Sequence, residues 1–175
     1  MIKLPILVYI PFIIFVMLAG TNAVNLTDGI DGLASSVSMI MIATLSIIAM
    51  RQGVYEIVAL GLILCGACLG FLLFNLHPAK IFMGDTGSLF LGGAIVAMAL
   101  YLKMPLILLI VAIIPVFETI SVILQVVYFK RTGNRIFKMT PLHHHFELSG
   151  WKEGKIVSIF SVVTLIFCVI AILLV

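Results

Sequence analysis

The chain has 175 residues, of which 63% are hydrophobic and 10% are charged, and its mean hydropathy is +1.35. A soluble domain of this length needs a much larger polar surface, so the composition excludes a soluble globular protein and is typical of an integral membrane protein. The formal net charge of +3 is too small to indicate a nucleic-acid partner, and the basic residues form no stripes with interleaved aromatic residues. We therefore predict an all-α, polytopic membrane protein with a single integral domain over residues 1–175.

Apolar runs define the predicted helices. Each run approaches the roughly 20 residues that cross a bilayer, and lipid supplies no water for unpaired backbone groups, so each run is expected to be helical. The first run follows Lys3 and lacks a small-residue cleavage site, which predicts a retained span instead of a removable signal peptide. The six predicted segments are about Leu4 to Gly20, Leu33 to Met50, Ile57 to Phe74, Thr86 to Leu102, Leu106 to Phe129, and Ile156 to Val175.

Two kinds of connection alternate between these segments. Three are polar and rich in motifs, at Asn22 to Gly32, Asn75 to Asp85, and Lys130 to Lys155. Two are short and plain, around Arg51-Gln52-Gly53 and Lys103-Met104-Pro105. Alternation places the three polar connections on one side of the membrane. That side holds seven of the ten basic residues, so the positive-inside rule predicts that it is cytoplasmic and that both termini face outward.

Several residues inside the apolar runs also carry predictions. Gly66 and Gly70 have the GxxxG spacing that favours close helix contact, and Pro115 is expected to kink the fifth span, which Gln125 also interrupts. Glu118 in the same span needs a partner or a cavity, with a structural hydrogen bond and a catalytic role both open. The three cysteines lie in apolar runs without a completed metal or redox motif, so we expect them to be packing residues.

The first polar connection contains two carboxylates in the stretch NAVNLTDGIDGLA. Asp28 and Asp31 are three residues apart, so on a helical turn they share a face, and Gly29 allows a close backbone approach. This pattern suits a metal-diphosphate, or a base or sugar bound through a carboxylate. The alternative is that Thr27 or Asp28 serves as the N-cap of the second span.

The second polar connection reads NLHPAKIFMGDTGS. Asp85 stands at the expected start of the fourth span, where free amides and the helix dipole favour anions, and Gly84 and Gly87 leave room for phosphate. Its carboxylate is a hard oxygen ligand suited to magnesium, and Lys80 is a candidate phosphate contact. An aspartate N-cap with a surface lysine is the open alternative.

The third polar connection contains PLHHHFE, from Pro141 to Glu147. Three consecutive histidines do not all point one way, which argues against a three-histidine zinc site. One or two of His143, His144 and His145 are instead expected to bind phosphate or handle protons, since the ordinary histidine pKa of about 6.5 is near working pH. An interfacial structural cluster is the alternative.

Taken in this order and spacing, NAVNLTDGIDGLA, FNLHPAKIFMGDTGSL and PLHHHFELSGW resemble the phospho-N-acetylmuramoyl-pentapeptide-transferase family. The first two motifs also resemble the wider polyprenyl-phosphate N-acetylhexosamine-1-phosphate transferases, glycosyltransferase family 4. The resemblance implies transfer of phospho-MurNAc-pentapeptide from UDP-MurNAc-pentapeptide to undecaprenyl phosphate. The products are lipid I and UMP, and the reaction takes place with Mg²⁺ at the cytoplasmic face of the bacterial inner membrane.

The resemblance also implies roles for individual residues. The catalytic group is expected to be Asp28, Asp31, Asp85, His144 and His145, with Asp85 as the metal ligand. Substrate binding is expected from Asn25, Gly29, Asn75, Lys80, Phe82 and His143. In this assignment Gly29, Asn75 and Phe82 line the uracil pocket, while His144 and His145 approach the phosphates.

The resemblance covers only the second half of a family whose members have about ten spans. The family's first half carries a further aspartate pair that nothing before Asn22 supplies, so we expect a truncated or split gene product. The expected protein partner is then a complementing N-terminal half or a second copy of the chain. Two alternatives stay open, which are an inactive fragment and a membrane transport protein.

Overall fold

The computed structural model describes residues 5–175 of the chain. The predictions for Lys3 and for a first segment starting at Leu4 lie outside the described residues. Within the described range the chain forms helices joined by turns, without strands. The α-helices are α1 (Ile6–Thr27), α2 (Leu33–Arg51), α3 (Tyr55–Asn75), α4 (Gly84–Tyr101), α5 (Leu108–Val111), α6 (Ile113–Thr132), α7 (Leu142–Glu147) and α8 (Glu153–Leu174), and a single 3-10 turn covers Pro105–Ile107.

Six of these helices, α1, α2, α3, α4, α6 and α8, are long and apolar enough to cross a membrane. This confirms the predicted all-α, polytopic class. The largest difference from prediction is at α1, which continues past Gly20 to Thr27. In this polar last part, Thr21, Asn22 and Thr27 each donate a side-chain hydrogen bond to a backbone carbonyl four residues earlier, at 2.7–2.8 Å, which satisfies these side chains within the helix.

Helix α2 lies at the centre of the bundle and packs against α3, α4 and α8. Leu33, Val37, Met41 and Leu45, spaced four residues apart, are fully buried. Since lipid tails are as apolar as these side chains, close packing and not the hydrophobic effect stabilises such contacts in a membrane. The central position of α2 fixes the turn just before it, which belongs to the candidate site.

Two glycines allow close helix contacts. A Cβ at Gly92 of α4 would lie 2.7 Å from the Cα of Thr21 in α1, and a Cβ at Gly61 of α3 would collide with the Ser46 hydroxyl of α2. Gly66 and Gly70 do not make the predicted close contact with any of the described helices, because a Cβ at either would have no neighbour within 4 Å among residues 5–175. The GxxxG spacing is present, but that face of α3 is turned away from the other described helices.

The fifth span is broken, as predicted from Pro115. The 3-10 turn and α5 lead to Ala112, whose φ of −96° and ψ of 33° interrupt the helix before α6. Proline has no N–H for the carbonyl four residues earlier and its ring crowds that carbonyl. The freed carbonyl belongs to Val111, and the Cys168 thiol of α8 lies 3.8 Å from it.

The three polar connections meet at one end of the bundle. Asp31 of the first connection lies 3.0 Å from His77 of the second, and its backbone N–H donates to Glu153, at the end of the third, at 3.2 Å. Their predicted placement on a common side is therefore confirmed. The third connection returns along α6, where Gln125 accepts hydrogen bonds from the backbone N–H groups of Ile136 and Phe137.

Candidate active site

The first connection is a tight turn between two helices. Asp28 ends α1, and residues 29–32 lead directly into α2, whose first flanking residue is Gly32 at a φ of +77°. Because this segment is a turn and not a helix, Asp28 and Asp31 have different neighbours, and the expectation that they share a helical face is wrong. Neither Thr27 nor Asp28 caps α2, which has no side-chain cap.

Asp85 is the acidic residue of the first turn of α4, which begins at Gly84 and not at Thr86. The residue before the helix is Met83, without a side-chain cap, so Asp85 does not serve as the N-cap. Asn25 at the end of α1 donates one hydrogen bond to the Asp85 carboxylate at 3.1 Å and another to the Ser88 hydroxyl at 2.9 Å. These bonds join the first and second connections through residues that are 60 and 63 positions apart.

Asp28 completes this acidic group. Burial of its carboxyl raises the pKa of Asp28, and the nearby Asp85 carboxylate raises it further, while His143 acts in the opposite direction. Two carboxylates that repel each other at the ends of neighbouring helices favour a cation between or beside them. The structure therefore brings together Asn25, Asp28 and Asp85, as predicted for a polar cleft.

Asp31 belongs to a second group. Its carboxylate accepts a hydrogen bond from the Ala79 backbone N–H at 2.9 Å and contacts His77 at 3.0 Å. His77 also lies 3.5 Å from Glu153 at the start of α8. Ligand atoms from Asp31, His77 and Glu153 lie within 4.8 Å of one another, so this group could hold a metal ion.

The substrate-binding predictions for the second connection meet three different environments. Asn75 is buried, and its side-chain oxygen accepts hydrogen bonds from the Gly32 N–H at 3.1 Å and the Ser35 hydroxyl at 3.3 Å. Its amide donates to the Ile81 carbonyl at 2.9 Å, so Asn75 joins the two connections. Phe82 is 78% exposed, and Lys80 is also exposed. The nucleotide and phosphate roles of these residues stay predictions.

The three histidines have three different hydrogen-bond partners, which agrees with the prediction that they do not all point one way, and the ring centroids of His143 and His144 lie 4.2 Å apart. His143 is fully buried and contacts Glu118 of α6 at 3.1 Å. His144 is partly exposed and pairs with Glu147 one helical turn later at 2.8 Å. His145 accepts a hydrogen bond from the Lys138 backbone N–H at 3.1 Å. Their predicted contacts with substrate stay predictions.

Gly29 and His143 are in direct contact, because a Cβ at Gly29 would collide with the imidazole Nε2. The close approach predicted for Gly29 is therefore made by a histidine of the third connection. Glu118, His77 and Glu153 were not among the predicted site residues. The intramembrane carboxyl of Glu118 was the signal for its role, whereas nothing near His77 or Glu153 in the sequence indicates that they meet.

The fold and the site define a polytopic helical membrane protein with polar loop residues gathered at one end of the bundle. The family model for glycosyl transferase family 4 matches residues 1–103. The chain belongs to this family.

Close relatives are named phospho-N-acetylmuramoyl-pentapeptide-transferase. The chain is 58% identical to the Clostridium botulinum (strain Eklund 17B / Type B) protein over 93% of its own length and 50% of the relative's. It is 58% identical to the Clostridium perfringens (strain 13 / Type A) protein over 94% and 52%, and 54% identical to the Acetivibrio thermocellus protein over 93% and 49%. The chain thus spans about half the length of these curated relatives, and their names do not favour the transport alternative.

Proposed function

We propose that this chain forms one part of a transferase that moves phospho-MurNAc-pentapeptide from UDP-MurNAc-pentapeptide to undecaprenyl phosphate. The products are lipid I and UMP, which places the activity in peptidoglycan synthesis. The observation that carries the proposal is the group of Asn25, Asp28 and Asp85, held together at one end of a membrane-spanning bundle. The names of the close relatives support the choice of the transferred group.

The acidic group fits a magnesium ion. The Asp85 carboxylate is exposed, and one of its oxygens accepts a hydrogen bond from Asn25. The Asp85 carboxylate raises the pKa of Asp28, and a divalent cation on Asp85 would relieve that repulsion. When bound, Mg²⁺ supplies positive charge that neutralises the diphosphate.

The chain's own residues then orient the reacting phosphates. A lipid phosphate is largely dianionic near pH 7, because its second pKa is about 6, so positioning and charge neutralisation contribute more than a strong base. Asn25 holds the Asp85 carboxylate in place, and the start of α4 offers free backbone amides to an anion. The acceptor oxygen forms a bond to the sugar-bearing phosphorus as the bond to UMP breaks.

An apolar cavity supports a lipid acceptor. Its volume is about 350 Å³, and it lies within the membrane-spanning region between α1, α4 and the broken fifth span. Ala23 and Val24 line one end, next in the chain to Asn25, and Phe12 and Pro105 line the other. An isoprenoid chain in this cavity would place its phosphate near the acidic group.

Donor binding is proposed for the exposed surface of the second and third connections. The exposed Phe82 is proposed to stack on uracil and the exposed Lys80 to pair with a phosphate, while Gly29 and the buried Asn75 are proposed to shape the uracil pocket from behind. His144 and His145 extend this surface, and Asp31 completes the cleft together with His77. We place this end of the bundle at the cytoplasmic face of the bacterial inner membrane, because seven basic residues gather there.

We propose that the activity needs residues outside this chain, since the chain spans about half the length of each of these relatives. The proposed protein partner is a polypeptide equivalent to the N-terminal half, alone or in a homodimer of the assembled protein.

Reconstitution in liposomes tests the function. The chain is inserted with the N-terminal half of the Clostridium perfringens relative, and UMP released from UDP-MurNAc-pentapeptide is measured with undecaprenyl phosphate present. We expect UMP release that requires Mg²⁺, both halves and the lipid acceptor. Absence of UMP when both halves are inserted and associated would contradict the proposal.

A further inference from the structure

Glu118 is a fully buried carboxyl in the first third of the membrane-spanning helix α6, five residues after Ile113. It lies 14 residues before the end of α6 at Thr132, a distance of about 20 Å at 1.5 Å per residue. An acidic group at such a depth is costly unless it is paired. Its partner comes from the third connection, where α7 brings His143 down to it.

Two contacts join Glu118 to His143. Oε1 of Glu118 accepts a hydrogen bond from the His143 backbone N–H at 3.3 Å and lies 3.1 Å from Nδ1. A carboxylate oxygen that already accepts from the backbone suits the same acceptor role toward Nδ1. This geometry favours the tautomer with its hydrogen on Nδ1, which the proposal below assigns to His143.

The opposite side of the ring faces the first connection. Nε2 of His143 is buried and has no hydrogen-bond partner among the described residues. It lies against the backbone of Gly29, at a position where a Cβ would collide with it. Gly29 follows Asp28 directly in the chain, so the His143 ring packs against the turn that carries the Asp28 carboxyl.

We propose that Glu118 is a positioning residue: it holds His143 with its hydrogen on Nδ1, and the ring in turn holds the Gly29 turn that places Asp28 beside Asp85. The part of this role that concerns the reaction rests on the proposed function. The pair links the first third of α6 to the acidic group without Glu118 touching a substrate.

Nitrogen NMR of the histidine rings tests the pair directly. The full chain is labelled with ¹⁵N-histidine in nanodiscs, the His143 signals are assigned by their loss in His143→Asn, and ring nitrogens with and without hydrogen are distinguished by shift. We expect hydrogen on Nδ1 in the wild type and in Glu118→Gln, which keeps an acceptor oxygen. In Glu118→Leu, which has none, we expect the hydrogen to move to Nε2. A bare Nδ1 in the wild type, or an unchanged ring in folded Glu118→Leu, overturns the proposal.

Substitution at Gly29 tests the contact on the Nε2 side of the His143 ring, opposite Glu118. Gly29→Ala should displace the ring and shift the His143 signals, whereas Gly66→Ala, whose Cβ meets nothing within 4 Å, should leave them unchanged. This comparison decides the matter even if Glu118→Leu fails to fold. If the His143 signals are the same in Gly29→Ala and in the wild type, the proposed contact between the His143 ring and the Gly29 turn is contradicted.

A kinetic comparison addresses the reaction. In the reconstituted assay, Glu118→Leu should lower kcat on the order of 100-fold, the scale of a 1 Å misplacement, with a smaller change in KM. Glu118→Gln should restore most of kcat. Full kcat in Glu118→Leu overturns the positioning role. If the wild type releases no UMP, the proposed function fails, and the NMR comparison still decides the pair.

Discussion

Asp28 is the residue of the acidic group whose pKa is shifted by its surroundings. Burial and the neighbouring Asp85 raise its pKa above the ordinary 3.8, and His143 partly offsets this. The folded protein therefore holds a proton on Asp28 more tightly than the unfolded chain does. Stability from this group is present below pH 3.8 and is lost as the pH rises through the folded pKa.

We expect Asp28→Asn to raise Tm at pH 7, measured in detergent with EDTA, because the amide carries no charge to bury. The gain should shrink as the pH falls toward 3.8, where the wild-type carboxyl becomes protonated in both states. Glu56→Gln, at an exposed position in the first turn of α3, is the control and should change Tm less. A lower Tm for Asp28→Asn at pH 7 would count against the electrostatic account.

At the scale of helices, the contact between α1 and α4 brings the residues of the acidic group together. Asn25 and Asp85 sit on these two helices, and Gly92 lets the helices approach until its Cα faces the backbone of Thr21. The neighbouring Gly93 has more room, since a Cβ there would lie 3.6 Å from the Thr21 methyl group. Of these two neighbouring glycines, Gly92 is the one that the close contact needs, and Gly20 of α1 makes a second close contact in the same interface, with Val96 of α4.

Gly92→Ala should destabilise the protein by about 1–3 kcal/mol, the usual cost of overpacking. Gly93→Ala makes the same change in helix propensity and should cost less than about 0.5 kcal/mol. Unfolding in SDS measures both variants. Equal stabilities for the two would contradict the close contact at Gly92.

At the scale of the whole molecule, the three polar connections share one end of the bundle and carry most of the basic residues. The positive-inside rule then predicts that this end faces the cytoplasm. Phe82 in the second connection is 78% exposed and Tyr55, next to a plain connection, is 69% exposed, so each offers an accessible test position.

Cysteine labelling checks this orientation. With the three native cysteines replaced by alanine, Tyr55→Cys should react with a membrane-impermeant maleimide in intact spheroplasts. Phe82→Cys should react only after the membrane is opened. The reverse pattern would show that the polar end faces outward.

The sequence predicted much of this molecule because a span is a local property. Apolar runs located six helices, Pro115 located the break in the fifth, and Asp85 was placed at the start of α4. The features that the sequence did not predict depend on contacts between residues that are distant in the chain. Asp31 meets His77 and Glu153 across 46 and 122 positions, and the face of α3 that carries Gly66 and Gly70 depends on neighbours that no local pattern defines.

The most direct test of the account compares Asp85→Asn with Glu56→Gln in the reconstituted assay. Both variants replace an exposed carboxylate by an amide, one beside Asn25 and Asp28 and the other in the first turn of α3, away from the acidic group. We expect Asp85→Asn to abolish Mg²⁺-dependent UMP release, while its helices still insert, and Glu56→Gln to retain it. UMP release by Asp85→Asn at the wild-type rate would contradict the assignment of the acidic group as the metal-diphosphate site.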